Sequence, residues 1–168
     1  QSLETVTISE GVETIDIQAF AYNPNLRTIN IPNSVMSLGA GIVHGCPKLE
    51  QITGKYTSDD GRCLITDGIL NSFAPANLTE YTLPKDVTII GSMAFSDNFT
   101  ELKTVHLPEG LVTIADRAFR YSGLETITFP STLKYLYAEA FYGSNALKTI
   151  YCKSLFPPAF IGCDVRWE

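Results

Sequence analysis

Residues 102–123 read LKTVHLPEGLVTIADRAFRYSG, and this stretch decides the fold. Leu102, Val105 and Leu107 are apolar, with Thr104 and His106 between the last two. From Thr104 to Leu107 the alternation has period two, which predicts a short strand with one face buried. Pro108 has no N–H to donate and ends that strand. Beyond a turn at Gly110, Leu111 and Ile114 form a second apolar pair. β-Branched residues are common there, so a second extended segment is expected. Asp116 and Arg117 then precede Ala118-Phe119. A small residue beside a large aromatic predicts a short helical turn that plugs the core, each Phe contributing roughly 1.5–3 kcal/mol by burial.

The unit recurs. Its first leucine stands at Leu3, Leu26, Leu49, Leu78, Leu102, Leu124 and Leu147, in steps of 23, 23, 29, 24, 22 and 23 residues. The proline returns at Pro32, Pro84 and Pro130, and the Ala-Phe pair at Ala19-Phe20, Ala94-Phe95 and Ala140-Phe141. A near-fixed period of this length signals a solenoid, in which each coil buries its apolar face against its neighbours. The expected fold is a β-rich α/β solenoid: a right-handed stack of about seven coils, with short strands and short helical turns, forming one domain over 1–168. Two units depart. The unit from Leu26 has Gly39, Gly41, Ile42 and Val43 in place of Ala-Phe, which predicts a looser turn. The unit 49–77 carries Cys63-Leu64-Ile65-Thr66, then Asp67-Gly68, then Ile69-Leu70. Asp-Gly between apolar runs predicts a β-hairpin in that irregular repeat.

Composition narrows the function. The chain has 168 residues, 45% hydrophobic and only 18% charged, with a net charge of −6. Lys and Arg are scattered singly, so nucleic acid is a poor partner. No apolar run reaches the ~18 residues that would span a membrane. Cys46, Cys63, Cys152 and Cys163 form no CxxC pair and no metal spacing. Cys46 reads as a buried thiol, and Cys152 with Cys163 as a candidate bridge. His44 and His106, the only histidines, occupy different phases of the repeat and predict no metal or Cys-His site. No P-loop, GxSxG or GxGxxG occurs, so neither a catalytic set nor a cofactor is expected.

The string LxxIxIPxxVxxIxxxAF matches from Leu26 to Leu38, Leu78 to Phe95, Leu102 to Phe119 and Leu124 to Phe141. It resembles the BspA-like leucine-rich repeat family, found in surface proteins of oral and gut anaerobic bacteria and some parasitic protists. The segment DGRCLITDGILNSFAPANLTEYTLP resembles an irregular repeat of such proteins. The resemblance covers residues 3 to about 158. Eight positions after the first Leu, where commoner leucine-rich repeats carry Asn or Cys, this chain has Gly11, Ser34, Asp86, Gly110 and Thr132. No asparagine ladder can form, which points to a more β-rich variant.

Stacking the coils aligns two outward columns. One is Thr5, Thr28, Gln51, Glu80, Thr104, Thr126 and Thr149; the other is Thr7, Asn30, Thr53, Thr82, His106, Thr128 and Tyr151. Nine of these fourteen positions are Thr. The high β propensity of Thr and Thr–Thr contacts account for such columns structurally. A hydroxyl-rich surface for a protein or glycan partner is the functional alternative. The candidate ligand-binding residues are Thr28, Asn30, Glu80, Thr82, Thr104, His106, Thr126, Thr128 and Tyr151.

Three functional readings follow. The first is a non-catalytic, cell-surface or secreted binding or adhesion module, its signal peptide removed; the resemblance points to host extracellular or cell-surface proteins as partners. The second is a spacer or assembly module of a larger surface protein. The third is a hydrolase or its accessory domain, which requires two convergent carboxylates in a cleft. Residues 153–168 are expected to cap the last coil. The uncapped edge at Leu3 invites weak self-association or a preceding segment of chain.

Overall fold

The computed structural model describes residues 2–97 and 101–162. Each coil contributes a strand to a first parallel ladder. These strands are β1 (Thr5–Thr7), β3 (Thr28–Ile31), β5 (Gln51–Gly54), β8 (Glu80–Thr82), β10 (Thr104–His106), β12 (Thr126–Phe129) and β14 (Thr149–Cys152). Where a proline follows, as after Ile31 and Phe129, the strand stops at it, as the missing N–H requires. A second ladder is built from β2 (Thr14–Ile15), β4 (Ser37–Leu38), β9 (Ile89–Ile90), β11 (Thr113–Ile114), β13 (Tyr135–Tyr137) and β15 (Ala159–Ile161). Register follows the repeat: Val6 pairs with Ile29 and Ile29 with Ile52, while Tyr81 pairs with Val105, Val105 with Ile127 and Ile127 with Ile150.

The irregular repeat forms the expected hairpin. β6 (Cys63–Thr66) runs antiparallel to β7 (Ile69–Phe73), which joins β9 in the second ladder. Its turn places Asp67 at φ 50° and Gly68 at φ 76°, the double left-handed geometry that Asp-Gly favours. The hairpin interrupts both ladders. The first divides into β1-β3-β5 and β8-β10-β12-β14, and the second begins afresh at the hairpin. The core divides likewise. Leu64 and Ala74 pack with Leu26, Ile29, Leu49 and Ile52, whereas Cys63, Leu70 and Phe73 pack with the later coils. Successive hairpin residues thus bind the two halves together.

The expected short helical turns do not form: the described residues contain no helix. The Ala-Phe segments are consecutive tight turns that build a third ladder. Phe20, Phe95 and Phe119 donate their N–H groups to the carbonyls of Ile42, Ala118 and Ala140 in the next coil, at 2.7–2.8 Å. The residue before each Ala-Phe pair is left-handed: Gln18, Met93, Arg117 and Glu139 have φ between 55° and 60°. A left-handed residue every coil, with alternate N–H groups committed to a neighbour, leaves no run of i→i−4 bonds for a helix. The looser turn expected after Leu26 is also corrected. Ile42 and Val43 are buried, and the Gln18, Phe20 and Tyr22 amides reach Ala40, Ile42 and His44 as in the other coils.

Phenylalanines stack along the later core. Ring centroids are 4.8 Å apart for Phe73–Phe95, 4.8 Å for Phe95–Phe119 and 5.2 Å for Phe119–Phe141. Hydroxyl clasps stand where an asparagine ladder would run. Ser34 Oγ accepts from the Gly11 N–H (2.9 Å) and donates to the Val12 carbonyl (2.8 Å). Thr132 repeats this with Gly110 (3.0 Å) and Leu111 (2.8 Å). At the far end β15 adds a rung beside β13, and Leu155 and Phe156 stand exposed. Cys163 and Trp167, in the expected cap and candidate bridge, lie outside the described residues.

Candidate functional site

The later half of the first ladder gathers most of the expected site. Glu80, Thr104, Thr126 and Thr149 stand side by side on adjacent strands, and Thr82, His106, Thr128 and Tyr151 form the parallel column. Tyr81, Val105 and Ile127 alternate with them, the last two buried, which turns the polar chains outward. Between β10 and β12 lies a shallow open depression of about 340 Å³, walled by Thr104, His106, Thr126, Thr128 and Lys153. Glu80, Thr82, His106, Thr126, Thr128 and Tyr151 are all exposed, Tyr151 at 60%.

Thr28 and Asn30 are not part of this surface. They belong to the separate β1-β3-β5 sheet, where Thr28 Oγ1 lies 3.3 Å from Thr5 Oγ1 and Asn30 Nδ2 donates to Thr53 Oγ1 at 3.1 Å. Two residues that broke the Thr pattern satisfy each other: His106 Nε2 meets Glu80 Oε1 diagonally across β8 and β10. Both are largely solvated, so the pair orients the imidazole more than it stabilises the fold.

Sequence reasoning passed over the charges beside these columns. The residues just after the first Leu alternate in sign, and Glu125 lies 3.6 Å from Lys103 and 3.9 Å from Lys148. Arg27 and Glu50 meet in the same way at 2.5 Å. A sign alternation at the repeat period was the available signal. Lys153 was also missed; its Nζ lies 2.9 Å from Glu109 Oε1 beside the depression. That lysine and the Ser131 hydroxyl hold the exposed Glu109 carboxyl below its ordinary value.

A second concavity, about 670 Å³, opens where β5 and β8 fail to pair. Asp59, Asp60, Asp67 and Asp86 line it, with Tyr56, Ile65, Tyr81 and Pro84. Partial burial opposes ionisation of Asp60. Hydrogen bonds from Ser58 Oγ (2.6 Å), Tyr81 OH (2.7 Å) and the Arg62 N–H (3.0 Å) outweigh it and lower the carboxyl. A general acid needs the opposite shift. Beside it, burial pushes the Cys63 thiol up to about 12, and Cys46 is pushed up to about 11. Thiols so raised stay protonated and are poor nucleophiles. The described residues hold no cluster of three or more His, Cys, Asp or Glu arranged for a metal ion. None forms a helix long and apolar enough to cross a membrane.

The model of the "BspA type Leucine rich repeat region" matches in six copies over residues 1–59 and 70–164. The gap between the matches contains β6. Among solved structures, the chain is similar to a leucine-rich repeat protein of Eubacterium ventriosum, at 24% identity and TM-score 0.71 over 92% of this chain and 43% of that one. It is similar to the pneumococcal vaccine antigen PcpA at 30% identity and TM-score 0.72, covering 84% of this chain and 39% of PcpA. A leucine-rich cell surface protein of Faecalibacterium prausnitzii shares 22% identity and TM-score 0.55, over 95% of this chain and 50% of that one. The chain thus spans no more than half the length of each of these proteins. No curated protein matches it. With the repeat model covering nearly all of its coils, the chain belongs to the BspA-type leucine-rich repeat family.

Proposed function

We propose that the chain is a non-catalytic binding module of a bacterial surface protein. It engages a protein or glycan partner through the outward face of β8, β10, β12 and β14. The observation that carries this reading is the register of Glu80, Thr104 and Thr126 beside Thr82, His106, Thr128 and Tyr151 on one open sheet. Closely spaced hydroxyls flanked by an oriented imidazole and an exposed tyrosine ring offer donors, acceptors and a stacking surface without a deep pocket. A shallow face suits an extended partner better than a small molecule, which calls for an enclosed site. The cell-surface and vaccine-antigen descriptions of two similar proteins support a surface location. The buried, protonated thiols and the lowered Asp60 support a role without acid–base or thiol chemistry.

The test is a binding screen of the intact chain against purified mucin, fibronectin, fibrinogen and a glycan array, repeated with Thr126→Lys combined with Thr128→Lys. Binding by the parent and its loss in the lysine variant are expected. Retained binding in that variant contradicts the reading.

A spacer role suits the β1-β3-β5 sheet better. There Thr28 contacts Thr5, and Asn30 is bonded to Thr53. Polar groups committed along the column have less to offer a partner.

A further inference from the structure

We propose that the free edge of β8 is a docking site for an extended, lysine- or arginine-rich segment of a partner protein, added as a strand over the aspartate-lined cleft. Thr79 accepts from the Lys103 and Thr104 amides, and the Leu83 N–H donates to His106. The odd-numbered residues therefore serve β10. By the alternation of a parallel ladder, the N–H and C=O groups of Glu80 and Thr82 point the other way, towards the gap beside β5. Among the described residues no neighbouring strand lies there, for β8 ends its sheet.

The two sides of the gap differ. Across it, the outward Ile52 N–H of β5 donates to the Gly61 carbonyl at 2.8 Å, so the chain covers that edge itself. The residues that lead into Gly61, Tyr56 to Asp60, form the far wall of the 670 Å³ cleft. The near wall is Tyr81, Thr82, Pro84 and Asp86. An open strand edge bordering a groove is the geometry of strand addition, in which main-chain bonds supply affinity and side-chain pockets supply selectivity.

Charge selects the occupant. Asp59, Asp60, Asp67 and Asp86 line the cleft, and no Lys, Arg or His lines it with them. Asp60 is fixed as an acceptor by Ser58, Tyr81 and Arg62. Asp59, Asp67 and Asp86 are exposed at the rim. Tyr56, Ile65 and Pro84 offer apolar surface for the methylene stems of basic side chains. A strand with lysine or arginine at every second position would direct those charges to one face, against the aspartates. This site shares Thr82 with the threonine face but does not need Thr126 or Thr128. Thr126→Lys with Thr128→Lys, the pair that tests the proposed function, leaves the cleft intact.

The test is fluorescence anisotropy of a labelled heptapeptide, Lys-Thr-Lys-Val-Lys-Thr-Lys, titrated with the intact chain at low salt. Three comparisons accompany it: the same peptide N-methylated at alternate backbone positions, the peptide with glutamate for lysine, and the variants Asp59→Asn with Asp86→Asn, and Thr82→Pro. The expected result is saturable binding by the basic peptide alone. Affinity should fall about tenfold or more on N-methylation and in each variant. The N-methylated peptide needs no altered protein, so the edge is tested even if Thr82→Pro misfolds. Absent binding overturns the proposal, as does equal affinity for the N-methylated peptide or for the asparagine variant. A dimer in sedimentation velocity that Thr82→Pro dissolves would also overturn it, by assigning the edge to a second copy.

Discussion

The ring of Phe73 lies 4.8 Å from that of Phe95, although the two come from different kinds of repeat. Phe95 belongs to an Ala-Phe turn, whereas Phe73 ends a hairpin strand. The hairpin thus supplies the aromatic that its own repeat lacks, and the stack runs on through Phe119 to Phe141. Phe95 is fully buried between neighbours on both sides. Phe95→Ala is expected to destabilise the chain by about 3–5 kcal/mol, and urea unfolding measures it. A loss below ~1 kcal/mol would show that the stack is not a principal support of the core.

Close approach of a ring to backbone sets a second expectation. A Cβ on Gly143 would lie 2.2 Å from Tyr121 Cδ1, and Gly143 has φ 69°. Gly143→Ala therefore meets both a clash and a disfavoured backbone, and should cost about 1–3 kcal/mol. In the Tyr121→Ala background the clash is gone and the backbone cost stays. A double-mutant cycle should return a coupling of about 0.5 kcal/mol or more. Zero coupling would mean that the ring yields freely.

Acid should weaken the contact across the irregular repeat. His44 is buried, 3.5 Å from Asp97 Oδ2, and neither ring nitrogen has a hydrogen-bond partner among the described residues. Tyr22 packs against the ring with centroids 4.5 Å apart, and Arg120 Nη1 lies 4.0 Å from the same Asp97 Oδ2. Burial disfavours the imidazolium more than Asp97 favours it, so the folded value lies below the ordinary 6.5. The unfolded chain then binds the proton more readily, and its share of stability is lost as pH falls through 6.5 towards the folded value. Glu109 and Glu139, whose carboxyls are lowered by their cationic partners, act in the same direction only below about 4.5. Stability from urea unfolding should therefore fall between pH 7 and 5, and His44→Gln should flatten that slope. An equal slope in the variant would remove His44 as the cause.

The leucine period showed the coils and the outward columns, and Asp67-Gly68 between two apolar runs showed the hairpin. It did not show the tight turns. Ala-Phe favours a helix locally, and nothing in Gln18, Met93, Arg117 or Glu139 announces a left-handed backbone; inter-coil hydrogen bonds impose it. The long step from Leu49 to Leu78 pointed to an irregular coil, yet not to the parting of β5 from β8 that removes Thr28 and Asn30 from the larger face. The His106–Glu80 pair arises because a long side chain reaches diagonally to the next strand. Column alignment alone shows only direct neighbours.

Hydroxyl-radical footprinting can locate the binding surface, because His106 and Tyr151 lie on the proposed face and Tyr22, Tyr121 and Tyr142 lie in or beside the third-ladder turns. The intact chain would be oxidised alone and when saturated with whichever purified mucin, fibronectin, fibrinogen or glycan binds it. If the face of β8, β10, β12 and β14 meets the partner, His106 and Tyr151 become protected while Tyr22, Tyr121 and Tyr142 stay reactive. Protection of the turn tyrosines with His106 and Tyr151 unchanged would contradict it.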